Sequence, residues 1–184
     1  MSAIETPSTP IAVVTDKTGS AFDTGDLYLR ELFRDEFSLV TREADRAAGP
    51  KGIALRKIDT GDMLLLEEGH CLRDHAIAAC GPRRGPWESR VEATSLTTLI
   101  QMVEGGLGMT LLPAITLEAG ILKGTRLVAR RLSPPVPSRT LALVARRTSP
   151  RRRDADLLAD FLIDQRRQSG RAGLSRARRS APKA

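Results

Sequence analysis

The 184-residue sequence predicts a mixed α/β fold, and three observations carry that expectation. Short aliphatic runs alternate with helix-favouring stretches, and residues 91–113 read as strand, helix, strand. The composition is 41% hydrophobic but only 3% aromatic, so the core must be built from aliphatic side chains. The strand–helix–strand segment predicts a right-handed connection and a largely parallel sheet. At this length the chain accommodates one domain or two small ones.

Residues 1–10, rich in Ser, Thr and Pro, are expected to be disordered. Ile11-Ala12-Val13-Val14-Thr15 forms a short strand, and the polar stretch 16–26, with Gly19, Ser20 and Gly25, is a linker; residues 1–26 are thus a disordered N-terminus carrying a candidate crossover strand. Leu32-Phe33 and Phe37-Ser38-Leu39-Val40 supply strand material, and residues 47–52 hold a turn at Gly49-Pro50. Met63-Leu64-Leu65-Leu66 is an apolar strand, and residues 72–79, rich in Leu and Ala, favour helix. Gly81-Pro82-Arg83-Arg84-Gly85-Pro86 is a polar loop, and Trp87, the only tryptophan, is read as a packing residue.

After the strand at 91–94, Thr94 or Ser95 caps a helix whose Leu96, Leu99, Ile100 and Val103 recur at i, i+3, i+4 and i+7. Gly105-Gly106 ends it, and the next strand, from Met109, closes at Pro113. A short helix is expected over 114–122, a strand over 127–132, a stiff connector at Pro134-Pro135-Val136-Pro137 and a returning strand over 140–145. Residues 154–165 then read as a helix with Leu157, Leu158, Phe161 and Leu162 buried, acidic residues in its first turn and Arg166-Arg167 beyond its end. The main domain is placed at 27–165, and 166–184 is a basic tail expected to be disordered.

The net charge of +7 is misleading about partners. From Arg147 onward there are eleven basic and four acidic residues, so the tail carries the whole excess and the remaining body is balanced. A solvated tail is the simpler reading, with non-specific phosphate contact the other. No run of about 18 apolar residues exists for a membrane span, and the N-terminus lacks a basic patch followed by an apolar signal core. A cytoplasmic protein with no membrane association is expected. In that reducing compartment two cysteines imply a transient bridge rather than a permanent one.

All the cysteines and histidines fall within one stretch, Gly69-His70-Cys71-Leu72-Arg73-Asp74-His75-Ala76-Ile77-Ala78-Ala79-Cys80. Cys71 sits at a helix start, where unpaired backbone N–H groups, the helix dipole and nearby Arg73, His70 and His75 favour thiolate. An intact helix carries Cys80 about 13 Å along the axis and round to the opposite face. A disulfide needs Cα atoms about 4.4–6.8 Å apart. Oxidation and the local helix are therefore mutually exclusive, which is the physical form of a redox switch. Two plainer readings stand beside it: free cysteines are commonly small buried hydrophobes, and the His70, Cys71, His75, Cys80 set invites a zinc reading. The spacing fits none of the two-residue cysteine knuckles, so no metal or other cofactor is expected. His75 itself reads as a solvated helix residue.

The run MLLLEEGHCLRDHAIAAC followed by VEATSLTTLIQMVEGGLGMTLLP resembles the regulatory domain of the OxyR-type, hydrogen-peroxide-sensing members of the LysR-type transcription activators. GHCLRD with a second cysteine nine residues on is specific to that group, whereas the Thr-Ser-Leu helix and the Gly-x-Gly-x-x-Leu-Leu-Pro ending are shared more widely among LysR-type effector domains. The resemblance implies a periplasmic-binding-protein-like effector fold, here mostly its second subdomain plus the returning strand and terminal helix of the first. It implies that Cys71 is the peroxidatic residue and Cys80 its resolving partner, with His70, Arg73 and Asp74 in the peroxide-reacting segment. It places Thr94, Ser95, Leu96 and Leu99 on a helix serving the dimer or effector surface, beside the plain reading of a core-facing helix. The implied partners are a second copy or family oligomer, hydrogen peroxide as signal and a glutaredoxin- or thioredoxin-type reductant. DNA contact is implied only through a helix-turn-helix, for which the N-terminal region of this sequence leaves no room.

The function so implied is a redox-sensing regulatory domain, not an enzyme. A thiol peroxidase would turn over peroxide repeatedly, and no Cys-x-x-Cys is present to support that. A small-molecule-binding effector module without redox function, or a degenerate truncated regulator, are the alternatives.

Overall fold

The computed structural model describes residues 12–15, 26–45, 52–55, 58–80 and 92–179. Residues 1–11, most of the expected linker, Gly49-Pro50, residues 81–86, Trp87 and residues 180–184 lie outside the described residues. The chain divides into two compact units: Met1–Asp16, Ser20–Arg34 and Thr140–Ala184 form the first, and Lys17–Gly19 with Asp35–Arg139 the second.

In the first unit, β1 (Ala12–Thr15) pairs antiparallel with β7 (Ser138–Arg146), Ala12 opposite Val144. On its other side β7 neighbours β2 (Leu27–Arg42), a single 16-residue strand where two short runs were expected. The 28-residue terminal helix α4 (Arg152–Arg179) completes the unit. Its Ala155 and Ala159 are fully buried against Leu32, Leu141, Leu143 and Ala145, with Leu162 and Ile163 beside them.

This corrects the face expected for α4. Leu157, Leu158 and Phe161 are 69%, 39% and 58% exposed, whereas the packed positions are 155, 159, 162 and 163. The spacing i, i+4, i+7, i+8 is helical, but two of the four are alanines, whose small side chains let the helix lie close to the strands. The helix also begins two residues earlier than expected and runs past Gln165 through Arg179, a segment whose many arginines favour helix although Gly170 and Gly173 lie within it.

In the second unit the expected strand–helix–strand is present as β4 (Glu92–Ala93), α2 (Leu96–Glu104) and β5 (Thr110–Pro113). Among the described residues, parallel pairing joins β3 (Leu65–Leu66) to β4 and forms single bridges at Met63–Met109 and Ile53–Leu132. The ladders that join β2 to β5 and β6 are antiparallel, which departs from the largely parallel sheet expected: β2 pairs with β5 through Phe37–Val40 and with β6 (Leu127–Arg130) through Leu39–Arg42. A β–α–β reading fixes the hand of its own connection but not the direction of a long strand brought in from another part of the chain.

α2 is positioned as its sequence demands. Ser95 caps it, its hydroxyl accepting from Thr98 N at 3.1 Å, and Leu99, Ile100 and Val103 are buried. Gly105 caps the C-terminus and Gly106 takes φ 82°, a conformation that suits glycine. Gly108 is fixed by a close approach: a Cβ there would stand 2.4 Å from the Asp62 carbonyl oxygen. α3 (Ala114–Glu118) is shorter than expected and follows Pro113, its N-cap residue.

Candidate redox site

β3 ends at Leu66, and Gly69, with φ 92°, turns the chain into α1 (Cys71–Cys80). Both cysteines therefore bound one ten-residue helix, Cys71 as its first residue and Cys80 as its last. Helical geometry separates their backbones by about 13 Å along the axis. Cys71 is a free, exposed thiol, and His70 before it is exposed as well. Asp74 is exposed one turn on.

His75 is not the solvated residue the sequence suggested. It is only 2% exposed, with its ring centroid 6.5 Å from that of Phe37. Leu72, His75, Ala76 and Ala79 recur at i, i+3, i+4 and i+7, so the histidine shares the inward face of α1. Leu72 packs against both apolar clusters of the unit, one built on Val40, Leu64, Leu66, Leu99 and Leu112, the other on Phe37, Leu39, Met63, Leu65 and Leu111. α1 thus rests on the hydrophobic centre of the second unit.

Arg73 is held away from water, its side chain 11% exposed. Its Nη1 donates to the Leu66 carbonyl at 2.9 Å and forms an ion pair with Glu92. Sequence reasoning placed Arg73 in this segment but missed Glu92, which lies 19 residues on with no motif to mark it. Just before α2, Thr94 and the cap Ser95 are exposed; on the helix Leu96 is half-buried, while Leu99, 1% exposed, belongs to the core. Asp35 is a second buried group that the sequence did not reveal. It is fully buried within the second unit, its carboxylate paired with Arg139 at 3.0 Å and accepting from Ile115 N at 3.0 Å.

The architecture is a mixed α/β effector domain, and the chain belongs to the LysR substrate binding domain family, whose model matches residues 11–167. It is 38% identical over 143 residues to the HTH-type transcriptional regulator EstR of Acinetobacter baylyi, covering 77% of this chain and 46% of that one. It is 37% identical over 140 residues to a probable hydrogen peroxide-inducible genes activator of Streptomyces viridosporus, covering 74% and 44%. Among solved structures it resembles an OxyR cysteine mutant from Corynebacterium glutamicum with hydrogen peroxide bound, with a TM-score of 0.71, 27% identity, and 93% of this chain against 53% of that one covered. The chain thus spans less than half the length of these two curated relatives. Among the described residues no helix is long and apolar enough to cross a membrane.

Proposed function

We propose that residues 27–165 are the redox-sensing regulatory domain of a hydrogen-peroxide-responsive LysR-type transcription regulator, switched by a reversible Cys71–Cys80 disulfide. The observation that carries this reading is the exposed free thiol of Cys71 opening a ten-residue helix that Cys80 closes. The Cys71 thiolate attacks one peroxide oxygen; the O–O bond breaks, hydroxide leaves and takes up a proton as water, and Cys71 becomes a sulfenic acid. The Cys80 thiol then attacks that sulfur, the S–O bond breaks and a second water leaves as the disulfide forms. Because the two cysteines stand at opposite ends of α1, the second step requires the helix to open. Two thiols of a glutaredoxin- or thioredoxin-type reductant reverse the change.

In the complete regulator the remodelled 71–80 segment alters the surface shared with a second copy, and so the grip of a helix-turn-helix on DNA. His70 and Asp74 flank the reacting thiol in this reading. The chemistry is one event per signal rather than turnover.

Titration of the purified chain with one equivalent of peroxide, followed by alkylation and mass spectrometry, tests this. The expected product lacks two hydrogens, mapped to Cys71–Cys80, and is cut faster by protease between them. Cys71→Ser removes the response and Cys80→Ser stalls at sulfenic acid. Two freely alkylated thiols after treatment sink the reading. They would favour a small-molecule effector module indifferent to its thiols, a role compatible with 38% identity to a regulator whose name does not mention peroxide.

A further inference from the structure

The disulfide reading leaves open what holds α1 closed until Cys71 is oxidised. Apolar contacts of Leu72, Ala76, Ile77 and Ala79 favour burial of the helix face, but they are non-directional and tolerate some rearrangement. The contact made by Arg73 is directional. Leu65 and Leu66 of β3 lie opposite Glu92 and Ala93 of β4 in parallel register, and Glu67 N donates to the Ala93 carbonyl at 3.1 Å. One guanidinium nitrogen, Arg73 Nη1, reaches both strands of that pair, through the Leu66 carbonyl at 2.9 Å and the Glu92 carboxylate. Arg73 is the third residue of α1, and its own N–H donates to the His70 carbonyl at 2.9 Å, so the bridge grips the turn that carries Cys71.

We propose, resting on the disulfide reading above, that Glu92 is a positioning residue for disulfide closure: through Arg73 it pins the first turn of α1 to the β3–β4 pair and sets how readily the helix opens. Glu92 is one-third exposed while Arg73 is 11% exposed. Removing the carboxylate's charge therefore leaves a poorly solvated guanidinium that keeps the Leu66 carbonyl but loses its ion pair with Glu92, a cost borne by the closed helix. In an opened segment Arg73 reaches water and the cost disappears. Loss of Glu92 thus favours the opened form selectively. It acts on the second chemical step, condensation of Cys80 with the Cys71 sulfenic acid, and not on the attack of Cys71 on peroxide.

The test uses the full 184-residue chain, mixed with hydrogen peroxide and quenched at intervals with a thiol alkylator and a sulfenic-acid trap, so that intact mass separates thiol, sulfenic acid and disulfide. Glu92→Gln should form sulfenic acid at the unaltered rate and close the disulfide about three- to tenfold faster, the range expected for a partly buried ion pair. Glu92→Asp, which keeps the charge, should restore a rate near that of the unaltered protein. Raising the salt concentration on the unsubstituted chain should also speed closure, so the pair is tested without substitution. Equal closure rates for the unaltered and Glu92→Gln chains, or a change in sulfenic-acid formation alone, overturn the proposal while leaving the disulfide reading standing. Sulfenic acid that never proceeds to a Cys71–Cys80 disulfide in the unaltered chain overturns both.

Discussion

Asp35 anchors a buried polar contact in the second unit. Its carboxylate is fully buried, takes Nε and Nη2 of Arg139 at 3.1 and 3.0 Å on one oxygen, and caps the start of α3 through Ile115 N on the other. Removing one partner of such a pair strands the other charge, so Asp35→Asn should cost about 3–5 kcal/mol, read as a fall in the urea midpoint. A double change to Asp35→Leu with Arg139→Met should recover much of that loss, because an apolar pair needs no desolvation of charge. An Asp35→Asn chain as stable as the original contradicts this account. Neither residue stands out in the sequence: an acidic residue within a strand and an arginine after three prolines look like ordinary surface positions until the fold brings them together. Gly108 is a contrasting case. The Gly-x-Gly spacing was visible, but the reason for its second glycine, the Asp62 carbonyl 2.4 Å from where a Cβ would stand, is a tertiary contact.

At the scale of elements, α2 and α4 behave oppositely. α2 carries large aliphatic residues at helical spacing behind a serine cap, and the fold uses them as the pattern implies; Leu99→Ala should destabilise the chain by about 2–5 kcal/mol, whereas Ser95→Ala should cost about 1 kcal/mol, both measurable by denaturant unfolding. The face of α4 was illegible because bulk misleads there: buried alanines face the strands, while the leucines and phenylalanine that a hydropathy reading favours are exposed. What orients α4 is largely polar and invisible in a linear pattern. Tyr28 donates to Asp156, Arg30 pairs with Asp156 and Asp160, the Arg152 guanidinium sits 4.7 Å from the Tyr28 ring centroid and Arg166 lies 5.2 Å from that of Phe33. The hydrogen bond to Asp156 raises the Tyr28 hydroxyl above its ordinary value, and the same bond, with that from Arg30, holds the Asp156 carboxyl below its own. The signs follow. The Tyr28 contribution is fully present below the ordinary tyrosine pKa of about 10 and is lost as pH rises through the elevated value. The Asp156 contribution is present above the ordinary carboxyl range and is lost as pH falls through the depressed value. Tyr28 is the only tyrosine, so its ultraviolet titration reads it alone; Asp156→Asn should lower its midpoint, and an unmoved midpoint refutes the contact.

For the molecule as a whole, both cysteines, Arg73, Glu92 and the two apolar clusters that receive Leu72 belong to the second unit, whereas β1, α4 and the basic tail belong to the first. The candidate redox stretch stands out in the sequence because the cysteines and histidines are concentrated in twelve consecutive residues. The division of the chain is not marked in the sequence because β2 and β7 each pass from one unit to the other within a continuous strand, Arg34 to Asp35 and Arg139 to Thr140, and the charged run Arg34-Asp35-Glu36 lies inside a strand rather than in a linker. That division makes the consequence of oxidation specific. Opening α1 releases Leu72 and Ala76 from the clusters they join, so peroxide should raise amide hydrogen exchange first in α1, then at the contacts of those two residues on β3 and β5. The amides of α4 over residues 152–167 should keep their protection, since no side chain of α1 belongs to the cluster that packs Ala155, Ala159, Leu162 and Ile163, and so should those of β1, which pairs with β7. Hydrogen-exchange mass spectrometry on the reduced and peroxide-treated chains separates the cases. Loss of protection confined to the second unit fits a local switch, and loss that begins in α4 rules it out.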